Sequence, residues 1–450
     1  MRILVSTKSV FVLPALLWWV ALYPGRLGYD YALLARIIRE GEQTSWWGAT
    51  FFWLFKFTTF DGRYLGIISL ISLLSLAHAI HYFISSIVTR DDSRNKLTLL
   101  FLFTPFFGVF GANVSHDVFQ TAGVILLTST LIRLRKQNSQ GYSPTLQLCL
   151  SSAYLTTTQY GLSIFLIVVI FLVRRYLFSS VLSVCLGISL YAIANLAVVA
   201  ESDMTIRKEF YLRNMILIDL KCIAQHDEAE ISDGEWAYLE TYAPIESWKE
   251  KISCASPDGL AFPLALEENS RPLELSLIKT AFNIAIRQPA IPLMSHIQRS
   301  RVALPPPFFQ APDNQVELDV TKPIGINTNT ALQSGPGLLH PSIDDEILAR
   351  RPAVLRPLEM FVLMPAFLIN QASWFWSWGG LWLYPMFFLI LGLLRKNIQS
   401  VLIVFVPTLL LHFVIFIVGP SSIGRYVMST IIMGLVSTLV LLNRLVKRIA

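Results

Sequence analysis

Apolar residues fall into about ten runs along the chain, separated by short polar connections and by two long polar stretches. A regular helix needs roughly 17 to 25 apolar residues to cross a bilayer. The runs Leu4–Tyr23, Tyr64–Thr89, Leu97–Gly111, Val118–Ile132, Leu146–Thr158, Gly161–Val173, Leu177–Ala200, Trp374–Leu394, Val401–Val418 and Tyr426–Leu442 predict that many spans. The third to sixth are short, which predicts tilted, broken or partly re-entrant helices.

The polar connections alternate in charge. With the N-terminus taken as cytoplasmic, the inside connections hold Arg90, Arg94 and Lys96; Arg133, Arg135 and Lys136; Arg174 and Arg175; Arg395 and Lys396; and the tail Arg444, Lys447 and Arg448. Every one is basic, as the positive-inside rule requires. The short outside turns Ala112–His116 and Gly419–Arg425 carry one arginine between them. Removing any one span breaks this alternation.

The expected fold is therefore an all-α polytopic membrane protein in three parts. Residues 1–200 form an N-terminal transmembrane module that includes a first outside loop, 24–63. Residues 201–373 form a large, mainly helical outside loop domain, and 374–450 a C-terminal transmembrane module. In the first loop, Tyr31–Arg39 sets Leu33, Leu34, Ile37 and Ile38 on one face and Trp46–Phe57 is aromatic, which predicts helices lying along the membrane interface. The second loop shows helical patterns at Met204–Gln225 and Leu273–Leu304, then Pro305–Pro307 and a loop-like region up to Pro341. Leu355–Phe367 reads as a second interfacial segment. No internal repeat is apparent.

Composition agrees. Hydrophobic residues make up 54% of the 450, charged residues only 15%, and mean hydropathy is +0.55. A soluble core cannot hide that much apolar surface. The net charge of +6 sits in the connections between apolar runs, so it argues for orientation in a membrane and against nucleic acid as a partner. The start has the charge and apolar core of a signal peptide, but Tyr23-Pro24-Gly25-Arg26 follows in place of a small-residue cleavage site and suits a retained anchor. The expected setting is a bacterial inner membrane with both termini cytoplasmic. Cys149 and Cys185 fall in apolar runs, whereas Cys222 and Cys254 fall in the large outside loop. In an oxidising compartment that pair is a disulfide candidate, closing a loop of about thirty residues for about 3 kcal/mol.

Few residues carry candidate chemistry. Asp30 follows the first span closely; it is either a working carboxylate at the water edge or a solvated cap on the Tyr31–Arg39 helix. In the turn Gly111-Ala112-Asn113-Val114-Ser115-His116-Asp117, a histidine and an aspartate stand side by side at a helix start. That suits a metal ion, a phosphate-bearing substrate or simple capping. Arg425 stands alone in its outside turn, where it clamps a phosphate or snorkels to headgroups. Arg63, Gln159 and Tyr160 are weaker candidates for substrate contact on the same side. His78, His81 and His412 lie within spans that hold no matching carboxylate, so hydrogen bonds between helices explain them better than a proton relay.

Tyr23-Pro24-Gly25 with Asp30, and Ser115-His116-Asp117-Val118-Phe119, give the chain its likeness to a known class. It resembles the GT-C-fold polytopic glycosyltransferases, which use polyprenyl-phosphate-linked sugars. The resemblance implies a catalytic base at Asp30, and a role for Asp117, with His116, in holding the acceptor or a divalent metal such as Mg or Mn. It further implies a polyprenyl-phosphate sugar donor, a glycan, lipid or protein acceptor, and a place in cell-envelope polysaccharide synthesis. The chain departs from the pattern in having His-Asp at the second turn where many members have two carboxylates. Two other classes stay open. An O-antigen-type polymerase or ligase would depend on loop arginines such as Arg299 or Arg301 and tolerate loss of Asp30. A transporter or scaffold is disfavoured by the absence of repeats and the scarcity of charges within the spans.

Overall fold

The computed structural model describes residues 10–25, 29–44, 47–136, 143–158, 160–173, 177–199, 204–206, 209–249, 274–300, 303–304, 379–395, 397–418 and 427–449. The N-terminal part comprises α1 (Val12–Ala21), α2 (Tyr29–Arg39), β1 (Gln43–Thr44), α3 (Ala49–Thr58), α4 (Gly66–Ile87), α5 (Asp91–Leu102) and α6 (Pro105–Gly111). It continues with α7 (His116–Lys136), α8 (Pro144–Leu155), α9 (Gly161–Val173) and α10 (Leu177–Val199). After β2 (Met204–Ile206) come α11 (Glu209–Ala224), α12 (Asp233–Leu239), α13 (Ile245–Lys249), α14 (Leu275–Arg287) and α15 (Ala290–Ser300). The C-terminal helices are α16 (Gly379–Leu393), α17 (Ile398–Val418) and α18 (Met428–Ile449).

Five of these, α4, α7, α10, α17 and α18, are long and apolar enough to cross a membrane, and the chain is read as a multi-pass helical membrane protein. Three shorter apolar helices, in α1, α9 and α16, fall below that length. Helix length thus supports five spans directly, fewer than the ten apolar runs suggest.

The run expected to be one span over Leu97–Gly111 is broken into α5 and α6. Thr104 caps the new helix by accepting from Phe107 N–H (3.4 Å), and Pro105 occupies its first turn. Proline has no N–H to continue the preceding helix but suits the first helical position. The pattern at Met204–Gln225 begins as a strand, β2, before α11 starts at Glu209. The fold is accordingly not purely α: β1 and β2 form a two-stranded parallel sheet with Gln43 opposite Met204, tying the first polar loop to the start of the second. The single pattern at Leu273–Leu304 divides into α14 and α15 around Gln288-Pro289. Pro305–Pro307 and Leu355–Phe367 lie outside the described residues.

At the centre stands α7, its apolar stretch wholly buried and packed by α4, α8, α17 and α18. It is not uniformly greasy: Gln120, Thr121, Thr128, Ser129 and Thr130 are all buried. Ser129 and Thr130 donate to the carbonyls of Ile125 (2.5 Å) and Leu126 (2.8 Å), four residues earlier. Their hydroxyls are thereby satisfied within their own helix, at no demand on neighbours.

Contacts along the helices sort the chain into two ends. Ser69 near the start of α4 meets Ala112 (3.4 Å), while Arg133 and Lys136 at the close of α7 meet Ser85 (2.5 Å) and Ser86 (2.9 Å). So α4 and α7 run parallel, and α5 with α6 makes the return. Lys136 also lies within electrostatic reach of Arg444, which puts the C-terminal ends of α7 and α18 together. One end of the bundle therefore gathers basic residues, and the other gathers the starts of α4, α7 and α18. His412 on α17 joins that second end, pairing with Thr430 on α18 (2.8 Å) and with the carbonyl of Ala303 (2.6 Å). His78 pairs with Gln147 (3.0 Å) and His81 with Thr98 (3.1 Å), each between helices.

The helices of the first loop pack on protein. Tyr31, Leu34, Ala35, Ile37 and Ile38 of α2 are buried with Phe51, Phe52 and Phe55 of α3, against Ile68, Val114 and Phe119. The described part of the α2 apolar face is covered by the rest of the chain, whereas Phe57 at the end of α3 stays 70% exposed.

Candidate functional site

The opening of α7 and the opening of α2 meet. Ser115 precedes α7, and its Oγ accepts from the backbone N–H of Asp117 (3.0 Å) while donating to Asp117 Oδ2 (2.9 Å). Asp117 sits in the first helical turn, where the helix dipole favours negative charge. From α2, the Tyr31 hydroxyl lies 2.9 Å from Ser115 Oγ and 2.7 Å from His116 Nδ1. The remaining ring nitrogen, His116 Nε2, is 3.4 Å from Asp117 Oδ1. Four side chains thus form one network, three of them almost fully buried; the His116 side chain, 18% exposed, is its open edge.

A proton count limits how this network is arranged. The single Ser115 proton goes to the carboxylate, so toward Tyr31 the serine is an acceptor. Tyr31 has one proton and two acceptors in reach. If it donates to His116 Nδ1, the imidazole is neutral with its proton on Nε2, facing Asp117. If Nδ1 is protonated it donates to the Tyr31 oxygen, and the Tyr31 proton turns to Ser115. In that second state a bare Nε2 lone pair would face a carboxylate, so the ring is then the doubly protonated cation.

Aromatic rings fix these groups. Phe51 stands edge-on to His116 (5.8 Å between centroids) and to Tyr31 (5.6 Å), and Trp47 lies 6.4 Å from Tyr31. Edge-to-face contacts of this kind add about 0.5–1.5 kcal/mol beyond burial and restrict ring rotation.

Asp30 immediately precedes Tyr31 and lies inside the first turn of α2, which begins at Tyr29. It is therefore part of the helix, not a cap preceding it as the sequence suggests. Consecutive Cα atoms are about 3.8 Å apart, so the backbone of Asp30 adjoins the residue that bonds His116. The two acids singled out in sequence stand on adjoining helix starts. The Asp30 side chain lies outside the described residues.

The approach to this site comes from the first span. Gly25, in the Tyr23-Pro24-Gly25 stretch, has φ +124°, and a Cβ there would stand 2.7 Å from Ser69. Only glycine suits both the backbone angle and the close approach. Ser69 in turn meets Ala112, three residues before Ser115, so the two quoted motifs are joined through α4.

Other candidates fare differently. Tyr160 donates to Gln120 Oε1 (3.1 Å), one turn along α7 from His116, so it reaches the neighbourhood of the network. Arg63 is exposed on a loop whose Gly62 abuts Ala35, a helical turn along α2 from Tyr31. Gln159 and Arg425 lie outside the described residues. Cys222 is disulfide-bonded and Cys149 and Cys185 are free; Cys254 lies outside the described residues.

His116 Nδ1 faces Tyr31 and Asp117 Oδ2 is engaged by Ser115. Among the described residues no group of three or more His, Cys, Asp or Glu side chains comes together. Mg keeps several waters and is held by one or two carboxylates plus substrate phosphates; the Asp30 side chain, on the adjoining helix start, lies outside the described residues.

Sequence reasoning missed Tyr31 and Gln120 as members of the site. The available signal was a tyrosine on the apolar face of an amphipathic helix, since a buried phenol needs a partner for its hydroxyl. No family model, curated protein or solved structure matches the chain.

Proposed function

We propose that this chain is a membrane glycosyltransferase acting at the end of the bundle where α2 and α7 meet. It would transfer a sugar from a polyprenyl-phosphate-linked donor to an acceptor hydroxyl. The observation that carries this reading is the Tyr31–His116–Ser115–Asp117 network, which holds the Asp30 turn against the Asp117 turn.

In the reaction, the acceptor oxygen bonds to the anomeric carbon and the bond from that carbon to the phosphate oxygen breaks. The bonding pair leaves with the polyprenyl phosphate, and the acceptor proton passes to Asp30. The transition state has oxocarbenium-like character, and a positioned base contributes about 10²- to 10⁴-fold. Asp117, buried and bonded to Ser115, acts as a positioning residue through its neighbours. His116 offers the open ring edge to substrate. Arg425, which lies between α17 and α18 in sequence, supplies positive charge for the departing phosphate. By the positive-inside rule the basic end of the bundle is cytoplasmic, so this chemistry faces the other side.

The test is transfer from labelled polyprenyl-phosphate sugars by the purified protein in lipid. Asp30→Asn is expected to lose about 10²-fold or more, and Asp117→Asn to lose activity through misplacement of His116. Full activity in both variants overturns the assignment. Activity that survives Asp30→Asn but fails on changing Arg299 or Arg301 would indicate the polymerase or ligase class instead.

A further inference from the structure

The α14–α15 hairpin has apolar residues on two opposite faces. Inward, Leu277 and Ile284 of α14 are buried with Leu217 and Leu220 of α11, Leu239 of α12 and Trp248 of α13. That accounts for one face. Outward, Leu275, Ile278, Phe282 and Ile286 follow one another at spacings of three and four, which places them along a single line of the helix. Leu275, Phe282 and Ile286 are 79%, 61% and 63% exposed, and Leu293 and Met294 of α15 are likewise exposed. Scattered exposed apolar residues need no explanation, but a continuous ridge marks an interaction surface.

The position of the hairpin names its partner. His296, one turn beyond Leu293, stands edge-on to Phe416 of α17 at 5.0 Å. Just past α15, the carbonyl of Ala303 accepts from His412, also on α17. Along α17, Leu409, Phe413 and Ile417 are exposed at intervals of four, the stripe that a span turns to lipid. That stripe ends at Ile417, beside Phe416, where α17 itself ends. The ridge of the hairpin thus adjoins the lipid-facing stripe of a span at the level where the hydrocarbon stops. Lys279, exposed at the border of the α14 ridge, is placed to meet lipid phosphate.

We propose that the outer face of α14–α15 docks on the bilayer in the plane of the membrane, with Phe282 and Ile286 at the boundary between headgroups and acyl chains and Lys279 among the headgroups. An amphipathic helix with this distribution binds such a surface through buried apolar area, reinforced by attraction to anionic lipid. The docking anchors the large loop beside the bundle, and it stands whether or not the chain is a transferase.

Site-directed fluorescence in the full-length protein tests the proposal. Cys149 and Cys185 are replaced by serine, single cysteines are introduced as Phe282→Cys, Ile286→Cys and, for comparison, the exposed Glu240→Cys, and each is labelled with a polarity-sensitive dye. The proteins are reconstituted in phosphatidylcholine–phosphatidylglycerol vesicles. At 282 and 286, the expected result is blue-shifted emission, strong quenching by lipids carrying a nitroxide near the headgroup, and weak quenching by aqueous iodide. Glu240→Cys is expected to show the reverse. Iodide quenching at 282 and 286 equal to that at 240 overturns the proposal. Protection from both quenchers also overturns it, since the face is then covered by protein, either another part of this chain or a second copy. The labelled positions are exposed, and a monodisperse elution profile in detergent verifies that each variant, and the background lacking Cys149 and Cys185, is folded.

Discussion

Tyr31 shows how much one hydroxyl can organise. Its oxygen lies within hydrogen-bond distance of both Ser115 Oγ and His116 Nδ1, and its ring is held by Phe51 and Trp47. Tyr31→Phe keeps the ring and removes the link between α2 and α7, leaving His116 Nδ1 and Ser115 without that partner. A loss of about 1–3 kcal/mol is expected, read as a lower melting temperature in detergent. Glu235 carries a pH dependence at the same scale. Burial works upward on its carboxyl, but hydrogen bonds from Arg287 and from the backbone and side chain of Ser232 outweigh this and hold it below the ordinary value. A carboxyl depressed in the folded state contributes stability above its unfolded value, about 4.3, and loses it as pH falls through the folded value. Protection against hydrogen exchange in α12 and α14, taken relative to the intrinsic rate at each pH, is therefore expected to fall in acid below about pH 4. Glu235→Gln is expected to exchange faster at neutral pH and to lack that acid step.

Among the elements, the broken return between α4 and α7 depends on close packing by α1. Trp18 donates to the carbonyl of Leu102 (2.8 Å), and its ring lies over Gly108, where a Cβ would come within 2.0 Å of a ring carbon. The indole cannot move aside without giving up its hydrogen bond. Gly108→Ala is expected to destabilise by about 1–3 kcal/mol, the usual range for overpacking, and Gly108→Ala combined with Trp18→Phe by less than the two single changes summed. A double-mutant cycle on thermal stability measures the coupling. The break itself was legible in part: the shortness of the run over Leu97–Gly111 predicted an irregular span. The cap at Thr104 and the first-turn proline at 105 explain where it restarts.

For the whole molecule, the two ends of the bundle make an exposed-cysteine prediction. Asp61 lies on the loop after α3, at the end that holds the network, whereas Asp92 lies at the start of α5 after α4 has run to the basic end. In a background lacking Cys149 and Cys185, Asp61→Cys and Asp92→Cys are expected to react with a membrane-impermeant thiol reagent from opposite sides. Reaction of both from one side would break the sorting of ends. If the positive-inside rule sets the orientation, Asp92→Cys is the one expected to react from the cytoplasmic side.

The sequence by itself determined that the chain is helical and membrane-bound. It also set Asp30 and the Ser115-His116-Asp117 turn in polar connections between apolar runs, because run length and the charge of a connection are local properties of the chain. Tertiary structure decided which of those connections touch. Tyr31 reaches His116 across 85 positions of chain, Gly25 reaches Ser69 and then Ala112, and β1 pairs with β2 although more than 150 residues separate them in sequence. Hydrophobic periodicity assigns a face to α2 but does not say whether lipid or protein covers it; here protein does. The same limit explains the opposite outcome at α14, whose two apolar faces read as one amphipathic pattern until the fold buried one and left the other exposed.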